Sequence, residues 1–447
     1  FLGTTGLNLL DLRGLGTQRT LVLVNGRRHV GADILSNAVS PDTNTFPTDL
    51  VERIDVVTGG NSAVYGSDAI AGVVNFVLKQ DYEGLQFRGQ GGQSDEGDAG
   101  NYYASVLGGT NFMDDRGNIA FNFEYAKQDS WFATDRANLR NNGNFVVVDT
   151  DASGTPNGSD GVPDRLYYDD IRFASISNGG AFLIANNGMA PGAMPCGADS
   201  QGGRWNCSYV FMPDGTLVPQ TGERIGLAPT GNFQGGNGMN NREGKLLAIY
   251  PDLDRYSFNL FGHLELSEAF VPFIEAKYVR TESIRYGSPA FFQGGTTGDP
   301  RETVRFDNPF MSDQARAQLQ AARVAAGFTG AVGAPDGPYS DESRIALRRN
   351  LIEFGPRRED ATRETTRIVL GVNGKMSENW RYELALNHGR FKEDTIVKGN
   401  MNLQRFGLAM DAASDGSGNI VCRSQIDTDA AFAYDDTNPM SVATLDA

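Results

Sequence analysis

Residues 51–79 constrain the fold of this chain more than any other segment. They read VERIDVVTGGNSAVYGSDAIAGVVNFVLK. The regions around Ile54 and Val73 are rich in β-branched residues, which is typical of strands. Gly59-Gly60 supplies a turn with φ values that most residues avoid. The small residues from Ala63 to Ala71 predict a helix packed closely on both strands, so the segment is expected to form a small α+β unit.

Two motifs upstream extend this pattern. Leu12-Arg-Gly-Leu-Gly16 and Leu21-Val-Leu-Val-Asn-Gly-Arg-Arg28 precede the 51–79 run in that order. The order closely resembles the plug domain of TonB-dependent outer-membrane receptors, and residues 1–80 are interpreted as the C-terminal part of a plug. A phosphate-binding loop is the alternative for the glycines. It is disfavoured because neither a complete Gly-x-Gly-x-x-Gly in the required context nor a Gly-Lys-Ser/Thr follows.

The resemblance implies a fold and an environment for the rest of the chain. Plugs of this family sit inside a transmembrane β-barrel, so residues 84–447 are expected to be the N-terminal part of that barrel. The fold class is therefore mainly β, a partial α+β plug followed by antiparallel transmembrane strands. The implied location is the outer membrane of a Gram-negative bacterium, in contact with its lipid.

Composition limits the partners and the type of membrane span. The formal net charge is −16, which argues against nucleic acid as a partner. No apolar run approaches the roughly 18 residues that a transmembrane helix needs. If the chain crosses a membrane, it must do so as part of a closed barrel, in which no backbone group stays unpaired in lipid.

From residue 84 onward, apolar and polar residues alternate over segments typical of outer-membrane strands. Between 118 and 131, for example, Ile119 and Phe121 share one face, while Asn122 and Glu124 share the other. The alternative is a soluble β-sandwich, which seldom contains irregular loops as long as those here. Seven membrane strands are predicted, near 84–93, 100–112, 118–131, 253–266, 270–285, 361–375 and 380–396.

Loop lengths predict which ends of the strands face outward, because such barrels have short periplasmic turns and long external loops. The long segments are 132–252, 286–360 and 397–447, and they are expected outside the cell. Residues 344–354 resemble a strand, but an eighth span would reverse this pattern. They are therefore expected to pair as a hairpin above the membrane.

The ends of the sequence lead to a further expectation. No signal peptide precedes Phe1, and no terminal aromatic strand closes the sequence at Ala447. Barrels of this family have about 22 strands around a plugged lumen. The chain is therefore expected to be an internal fragment of a longer precursor.

Three cysteines suit an oxidising compartment. Cys196 and Cys207 enclose a flexible polar stretch and are predicted to form a disulfide in an external loop. Neither a nearby histidine nor a Cys-x-x-Cys supports zinc. Cys422 is left over, and its partner is expected beyond Ala447.

The resemblance also implies charged plug residues that pair with carboxylates on the barrel wall. Arg13, Glu52 and Arg53 match such plug charges, and Glu124 and Glu275 are candidate partners on the wall. We refer to these five as the predicted latch residues. A buried ion pair suits a contact that must be released. The alternative is that they are solvated surface charges.

The apical plug loop 31–48 is expected, from the resemblance, to face the external vestibule and contact the ligand. Its candidate ligand-facing residues are Asn37, Ser40, Asp42 and Asn44. A helix is predicted at 312–327, with Ser312 as its N-cap and Gly327 as its stop.

A second loop contains the spacing of a calcium site. Asp149, Asp151, Ser153 and Asp160 fall at positions 1, 3, 5 and 12 of a calcium loop. The last position carries Asp instead of a bidentate Glu, and flanking helices are not predicted. A polar, turn-rich loop is the default interpretation. Structural calcium is the only cofactor that the sequence suggests.

Together these features predict an active transport receptor. It would bind a scarce nutrient, such as a siderophore, vitamin or oligosaccharide, at the cell surface. It would import this small-molecule or oligosaccharide ligand when TonB of the inner-membrane energising complex moves the plug. A passive porin is the alternative, which a plugged lumen disfavours. An enzyme is disfavoured because neither Gly-x-Ser-x-Gly nor His-Glu-x-x-His occurs.

Overall fold

A computed structural model describes residues 3–32, 40–79, 81–141, 143–152, 155–185, 196–239, 248–293, 303–335, 337–341 and 343–426. The chain forms two compact units. The first contains residues 1–132, 248–287 and 358–398, and the second contains the three segments between and after them. Within the described ranges, no helix has the length and apolar character needed to cross a membrane.

The N-terminal part of the first unit is a four-stranded mixed sheet. Its strands are β1 (Thr20–Val24), β2 (Arg27–Arg28), β3 (Val51–Thr58) and β4 (Gly72–Leu78), in the order β2-β1-β4-β3. Strand β1 runs parallel to β4, whereas β3 is antiparallel to it. The predicted strands on either side of Gly59-Gly60 are thus present as neighbours.

The predicted helix from Ala63 to Ala71 is wrong in its length. The structure has helix α1 (Ser62–Tyr65) followed by a 3₁₀ turn (Ser67–Ala69). Gly66 separates them, with φ of +88°, outside the helical region. Only glycine adopts such a φ at little cost, so the small-residue segment bends at this point instead of continuing as a helix.

Seven long strands form one antiparallel sheet, as the period-two pattern predicts. Each strand of this sheet pairs with the strands that come before and after it among the seven in the sequence. The strands are β5 (Gly84–Gly92), β6 (Asn101–Phe112), β7 (Gly117–Gln128), β8 (Asp252–Leu264), β9 (Val271–Pro289), β10 (Pro356–Ser377) and β11 (Trp380–Lys398). The order and register of β7 and β8 place Glu124 opposite Ser257. The mainly β fold class is confirmed.

The two faces of this sheet differ in chemistry. On β7, Asn122 and Glu124 are buried, while Phe121 and Phe123 are 41% and 45% exposed. Because side chains alternate across a strand, one face is polar and covered and the other is apolar and open. This arrangement is the one expected of a strand with lipid on one side and a filled lumen on the other.

The second unit has its own core. Helix α3 (Asp313–Ala325) packs on a five-stranded sheet through Leu319, next to Phe182 and Leu217. That sheet contains, in order, Leu217–Pro219, Cys207–Phe211, Ala181–Ile184, Leu347–Asn350 and Phe291–Gln293. The unit's other strands are Asn144–Val147, Arg165–Tyr168, Ile171–Phe173, Glu223–Ile225, Asn232–Gln234, Val304–Arg305, Arg344–Ile345, Ala412–Ser414 and Ile420–Cys422.

Four further short helices and strands are described. Helices α2 (Ala137–Arg140) and α4 (Leu403–Met410) belong to the second unit, and the strands Trp131–Phe132 and Ala248–Tyr250 pair in the first.

Residues 344–354 do not form the predicted hairpin. Arg344–Ile345 pairs with Val304–Arg305, and Leu347–Asn350 lies between two other strands of the five-stranded sheet. These strands are absent from the seven-stranded sheet, as the loop-length argument requires. The hairpin prediction failed because the pairing partners are distant in sequence.

Ser312 caps helix α3, as predicted, and its hydroxyl accepts a hydrogen bond from the amide of Ala315 at 3.2 Å. We expect Ser312→Ala to cost about 1 kcal/mol of local helix stability. Hydrogen exchange of the first-turn amides of α3 should then accelerate about fivefold. Ser312→Asp should retain the slow exchange. Equal exchange in all three proteins would show that the cap does not stabilise this helix.

Candidate plug–barrel interface

A small apolar core joins the N-terminal sheet to the long strands. Val24, Leu50 and Leu78 of the plug segment are almost fully buried, together with Leu107 of β6 and Phe261 of β8. Burying such side chains contributes roughly 1.5–3 kcal/mol each. Around this core, the contacts between the two sheets are mostly polar and ionic.

Glu275 of β9 binds two arginines, one from each side of the interface. Its Oε1 atom lies 3.0 Å from Nη1 of Arg27 on β2, and its Oε2 atom lies 3.1 Å from Nη1 of Arg367 on β10. The side chains of Arg27, Glu275 and Arg367 are only 15%, 7% and 3% exposed. Arg27 Nε also donates to Glu383 at 3.1 Å. Removing one partner would leave a buried charge uncompensated, which is costly.

A tight turn places Arg27 at the sheet. Asn25 and Gly26 both have positive φ, +52° and +74°, which is the geometry of a two-residue hairpin turn between β1 and β2. The Asn25 side chain adds two further contacts. Its Nδ2 donates to Oε1 of Glu275 at 3.0 Å, and its Oδ1 accepts from the amide of Leu78 at 2.8 Å. The turn thus connects the plug strands to Glu275.

Lys277 and His29 form a second polar contact beside this group. The Lys277 ammonium is 3.4 Å from Nε2 of His29 and 4.9 Å from the ring centre of Phe46. Removal from water, with the charges of Lys277 and Arg367 nearby, holds the pKa of His29 well below its usual range. A neutral ring can donate from Nδ1 to the carbonyl oxygen of Val30, at 3.3 Å, and accept at Nε2.

Asp49 is the plug carboxylate with the most partners on the sheet. It accepts hydrogen bonds from Arg88 at 2.9 Å, from the Tyr103 hydroxyl at 3.1 Å, and from the Ser105 hydroxyl. Burial alone would raise the pKa of Asp49, but the hydrogen bonds from Ser105, Arg88 and Tyr103 lower it below its usual value. Asp49 is therefore charged at neutral pH.

The N-terminal segment is also attached to the inner face. Arg363 of β10 donates to the carbonyl oxygens of Gly3, at 2.9 Å, and Thr5. Its Nε lies 3.1 Å from the carboxylate of Glu393. Ser283 of β9 donates to the same Thr5 carbonyl at 3.1 Å. The segment before β1 is therefore held by the wall as well as the plug sheet.

Comparison with known proteins identifies the N-terminal segment. Residues 3–73 match the TonB-dependent Receptor Plug Domain family. Residues 3–73 form a plug domain of the TonB-dependent receptor type. The predicted plug domain is confirmed over these residues, and the predicted outer-membrane location agrees with the name of the curated relative described next.

Curated relatives are similar over a short stretch of the chain. The iron-regulated outer membrane virulence protein of Vibrio cholerae, from two strains, is 36% identical over 77 residues. The match covers 17% of this chain and only 12% of that protein.

Solved structures give a weaker likeness. The siderophore receptor PirA of Acinetobacter baumannii is 14% identical, with a TM-score of 0.28, covering 86% of this chain and 42% of that one. The copper transporter OprC is 12% identical, with a TM-score of 0.33, and the match covers 95% of this chain and 44% of that one. The chain thus spans less than half the length of these proteins. The family assignment rests on the plug match.

Three of the predicted latch residues do not contact the wall carboxylates in the described part of this chain. Arg13 is exposed, and Glu52 and Arg53 lie on the exposed strand β3. Arg53 pairs with its own neighbours Glu52 and Asp55, at 3.5 and 3.2 Å. A charge pattern in the sequence does not specify which face of β3 is covered, and the prediction for these three was therefore wrong.

The two predicted wall carboxylates do lie at the plug, but with other partners. Glu275 binds Arg27, as described above. Glu124 is fully buried and accepts from the backbone amide of Asp49 at 3.4 Å, with Arg255 of the sheet 3.8 Å away. Both predicted wall carboxylates therefore contact the plug, but neither pairs with Arg13, Glu52 or Arg53. The Asn-Gly turn before Arg27 is the sequence signal that would have indicated the correct arginine.

The predicted ligand-facing residues are mostly turned inward. Ser40 and Asp42 are 2% and 4% exposed. Asp42 Oδ1 accepts from the amides of Asn8 and Asn44, both at 3.0 Å, and Asn44 Nδ2 donates to the carbonyl oxygen of Gly6 at 2.9 Å. These residues hold the N-terminal segment, and their role as ligand contacts stays a prediction. Asn37 lies outside the described residues.

The remaining predicted sites lie in the second unit. Cys196 and Cys207 form a disulfide, with their Cα atoms 5.3 Å apart, and Cys422 is a half-buried free thiol. Carboxylate oxygens of Asp149, Asp151 and Asp160 come together within 4.8 Å of one another. Ser153 lies outside the described residues.

Glu275→Gln should loosen the plug. The substitution removes the charge that Arg27 and Arg367 share, and the expected loss is about 3 kcal/mol because a buried pair is broken. Hydrogen exchange of the plug amides in β1 and β2 should accelerate accordingly.

Glu282→Gln is the matched control, since Glu282 lies on the same strand, is 45% exposed and pairs with the exposed Arg280. It should leave plug exchange unchanged. Equal exchange in the Glu275→Gln and parent proteins would contradict a structural role for this carboxylate.

Asp42 should make stability depend on pH. Burial raises the pKa of Asp42 from 3.8 to about 6, against the opposing effect of the amides of Asn8 and Asn44 and the charges of Arg363 and Arg255. Because the folded-state pKa exceeds the unfolded one, the stabilisation is complete below pH 4 and is lost as pH rises through about 6.

Asp42→Asn keeps an oxygen for both amides without an ionisation cost. Relative to the parent, the variant should gain about 1.4 kcal/mol in unfolding free energy between pH 5 and pH 8. Denaturant unfolding at the two pH values measures this difference. Asp68→Asn is the control, because its hydrogen bond from Arg28 lowers the pKa of Asp68, which is ionised throughout that range. A gain equal to that of the control would disprove the assignment of this pH dependence to Asp42.

Proposed function

We propose that this chain is part of an active transport receptor that imports a ferric siderophore across the outer membrane. The observation that carries the proposal is the buried set of ion pairs between plug and wall, centred on Glu275. A plug attached by charges and hydrogen bonds blocks the lumen at rest. It can also be released, because the separated charges regain water when the contact opens.

TonB of the inner-membrane complex is the proposed partner that supplies the force. The plug match supports this, since the family is defined by dependence on TonB. The N-terminal segment, held by Arg363 and Ser283, is the part of the plug whose contacts such a pull must also break. No covalent chemistry is part of the proposal.

The siderophore class is proposed from the relatives. The Vibrio cholerae protein is named as iron-regulated, and PirA is named as a siderophore receptor. Vitamins and oligosaccharides are the other ligand classes that the sequence leaves open. The ligand surface itself is not assigned, because Ser40 and Asp42 are buried.

Uptake in cells tests both parts of the proposal. A strain expressing the full-length gene should accumulate radiolabelled ferric siderophore from a panel, and a deletion strain should not. A protonophore that collapses the inner-membrane gradient should abolish the uptake. Uptake that persists after the gradient collapses would support the porin alternative instead. Uptake of cobalamin or maltodextrin, without any ferric siderophore, would overturn the proposed ligand class.

A further inference from the structure

An acidic loop in the second unit has the geometry of a metal site. It joins the paired strands Asn144–Val147 and Arg165–Tyr168. Oxygen atoms of Asp149, Asp151 and Asp160 lie within 4.8 Å of one another, and residues 148–164 contain neither lysine nor arginine. Three carboxylates this close repel one another unless a cation lies between them.

One of these carboxylates is buried with an oxygen that has no partner. Asp149 is 8% exposed, and its Oδ2 is shielded from solvent without a hydrogen bond from any described residue. Its Oδ1 accepts from Gln201. The same lack of a partner applies to Oδ1 of Asp164, whose backbone carbonyl accepts from the amide of Val148 at 2.8 Å. A buried carboxylate oxygen without a donor is costly, and a bound cation would remove that cost.

The disulfide loop orients the buried carboxylate. Gln201, between Cys196 and Cys207, donates from Nε2 to Oδ1 of Asp149 at 2.9 Å and to the carbonyl oxygen of Thr150 at 2.8 Å. Ser200 Oγ donates to the carbonyl oxygen of Val148 at 2.7 Å. Gln201 thus occupies one oxygen of Asp149 and leaves the other for a ligand. Such outer hydrogen bonds orient the groups that bind a metal directly.

We propose that Asp149, Asp151 and Asp160 bind one calcium ion. Two oxygens on opposite sides of calcium are about 4.8 Å apart, so all three carboxylates can reach the same ion. Carboxylates are hard donors, and the loop supplies neither histidine nor cysteine for a softer metal. Magnesium usually keeps several waters and takes only one or two carboxylates. The site is independent of the proposed transport function.

The other hydrogen bonds of the loop are compatible with this role. Asp151 accepts from the amide and hydroxyl of Ser159, both at 3.2 Å, and Asp160 Oδ1 accepts from the amide of Val162 at 2.8 Å. A carboxylate oxygen has a second lone pair for a metal after accepting one hydrogen bond. The bonds therefore hold Asp151 and Asp160 in position without using their full capacity.

Equilibrium dialysis with ⁴⁵Ca²⁺ on the full-length protein in detergent tests the site. We expect binding with a dissociation constant on the order of 10⁻⁴–10⁻³ M, the range of extracellular calcium modules. Asp149→Asn and Asp160→Asn should each weaken it more than about tenfold, since affinity depends on ligand charge. Asp214→Asn is the control. Asp214 is exposed and accepts from the amide two residues on, as Asp160 does.

Two outcomes would overturn the proposal. One is calcium binding unchanged in Asp149→Asn, and the other is an equal loss in Asp214→Asn. Gln201→Ala is a second test in case the carboxylate variants misfold, because it leaves every proposed ligand in place. It should weaken binding about tenfold while the Cys196–Cys207 disulfide stays intact by mass spectrometry. Calcium should also slow hydrogen exchange in residues 148–164 of the parent, and unchanged exchange there would refute the site.

Discussion

The carboxylate of Glu275 is the contact on which the seating of the plug most depends. It is buried, and it receives hydrogen bonds from Arg27 and Asn25 of the plug and from Arg367 of the wall. Without it, Arg367 would lose its carboxylate partner among the described residues and Arg27 would keep Glu383 alone, and an isolated buried guanidinium is costly. The polar inner face of the sheet is therefore stable only with these plug groups against it. Each side of the interface thus supplies the partners for charged groups that the other side leaves unpaired.

Local pattern predicted the strands of this structure well. The alternation along β7 places Phe121 and Phe123 on the open face and Asn122 and Glu124 on the covered one, as the sequence suggests. Period two is a property of the backbone, so it is visible without knowledge of the partner strand. The cap at Ser312 was predictable for a similar reason, because its hydrogen bond closes within three residues.

Partner choice could not be predicted in the same way. Arg27 and Glu275 are 248 residues apart in the sequence. Strand β2, which carries Arg27, is only two residues long. The family pattern pointed to Arg53 instead, which lies on the exposed strand β3. Likewise, the family resemblance pointed to Asp42 as a ligand contact, although it accepts backbone amides inside the plug. Polarity indicates that a residue needs a partner but does not say whether the partner is a ligand or the chain itself.

The balance of apolar and ionic contacts at the interface also fits a plug that has to move. Phe261 and Leu107 supply the few apolar contacts from the wall, while Glu275, Arg367 and Glu124 supply charged ones. A wholly apolar interface would expose its full area to water on opening, at about 25 cal/mol for each Å². Buried charges differ, because water restores their solvation once the partners separate. An ionic wall therefore holds the plug specifically while limiting the free-energy cost of displacing it, and the proposed pull by TonB would act against that smaller cost.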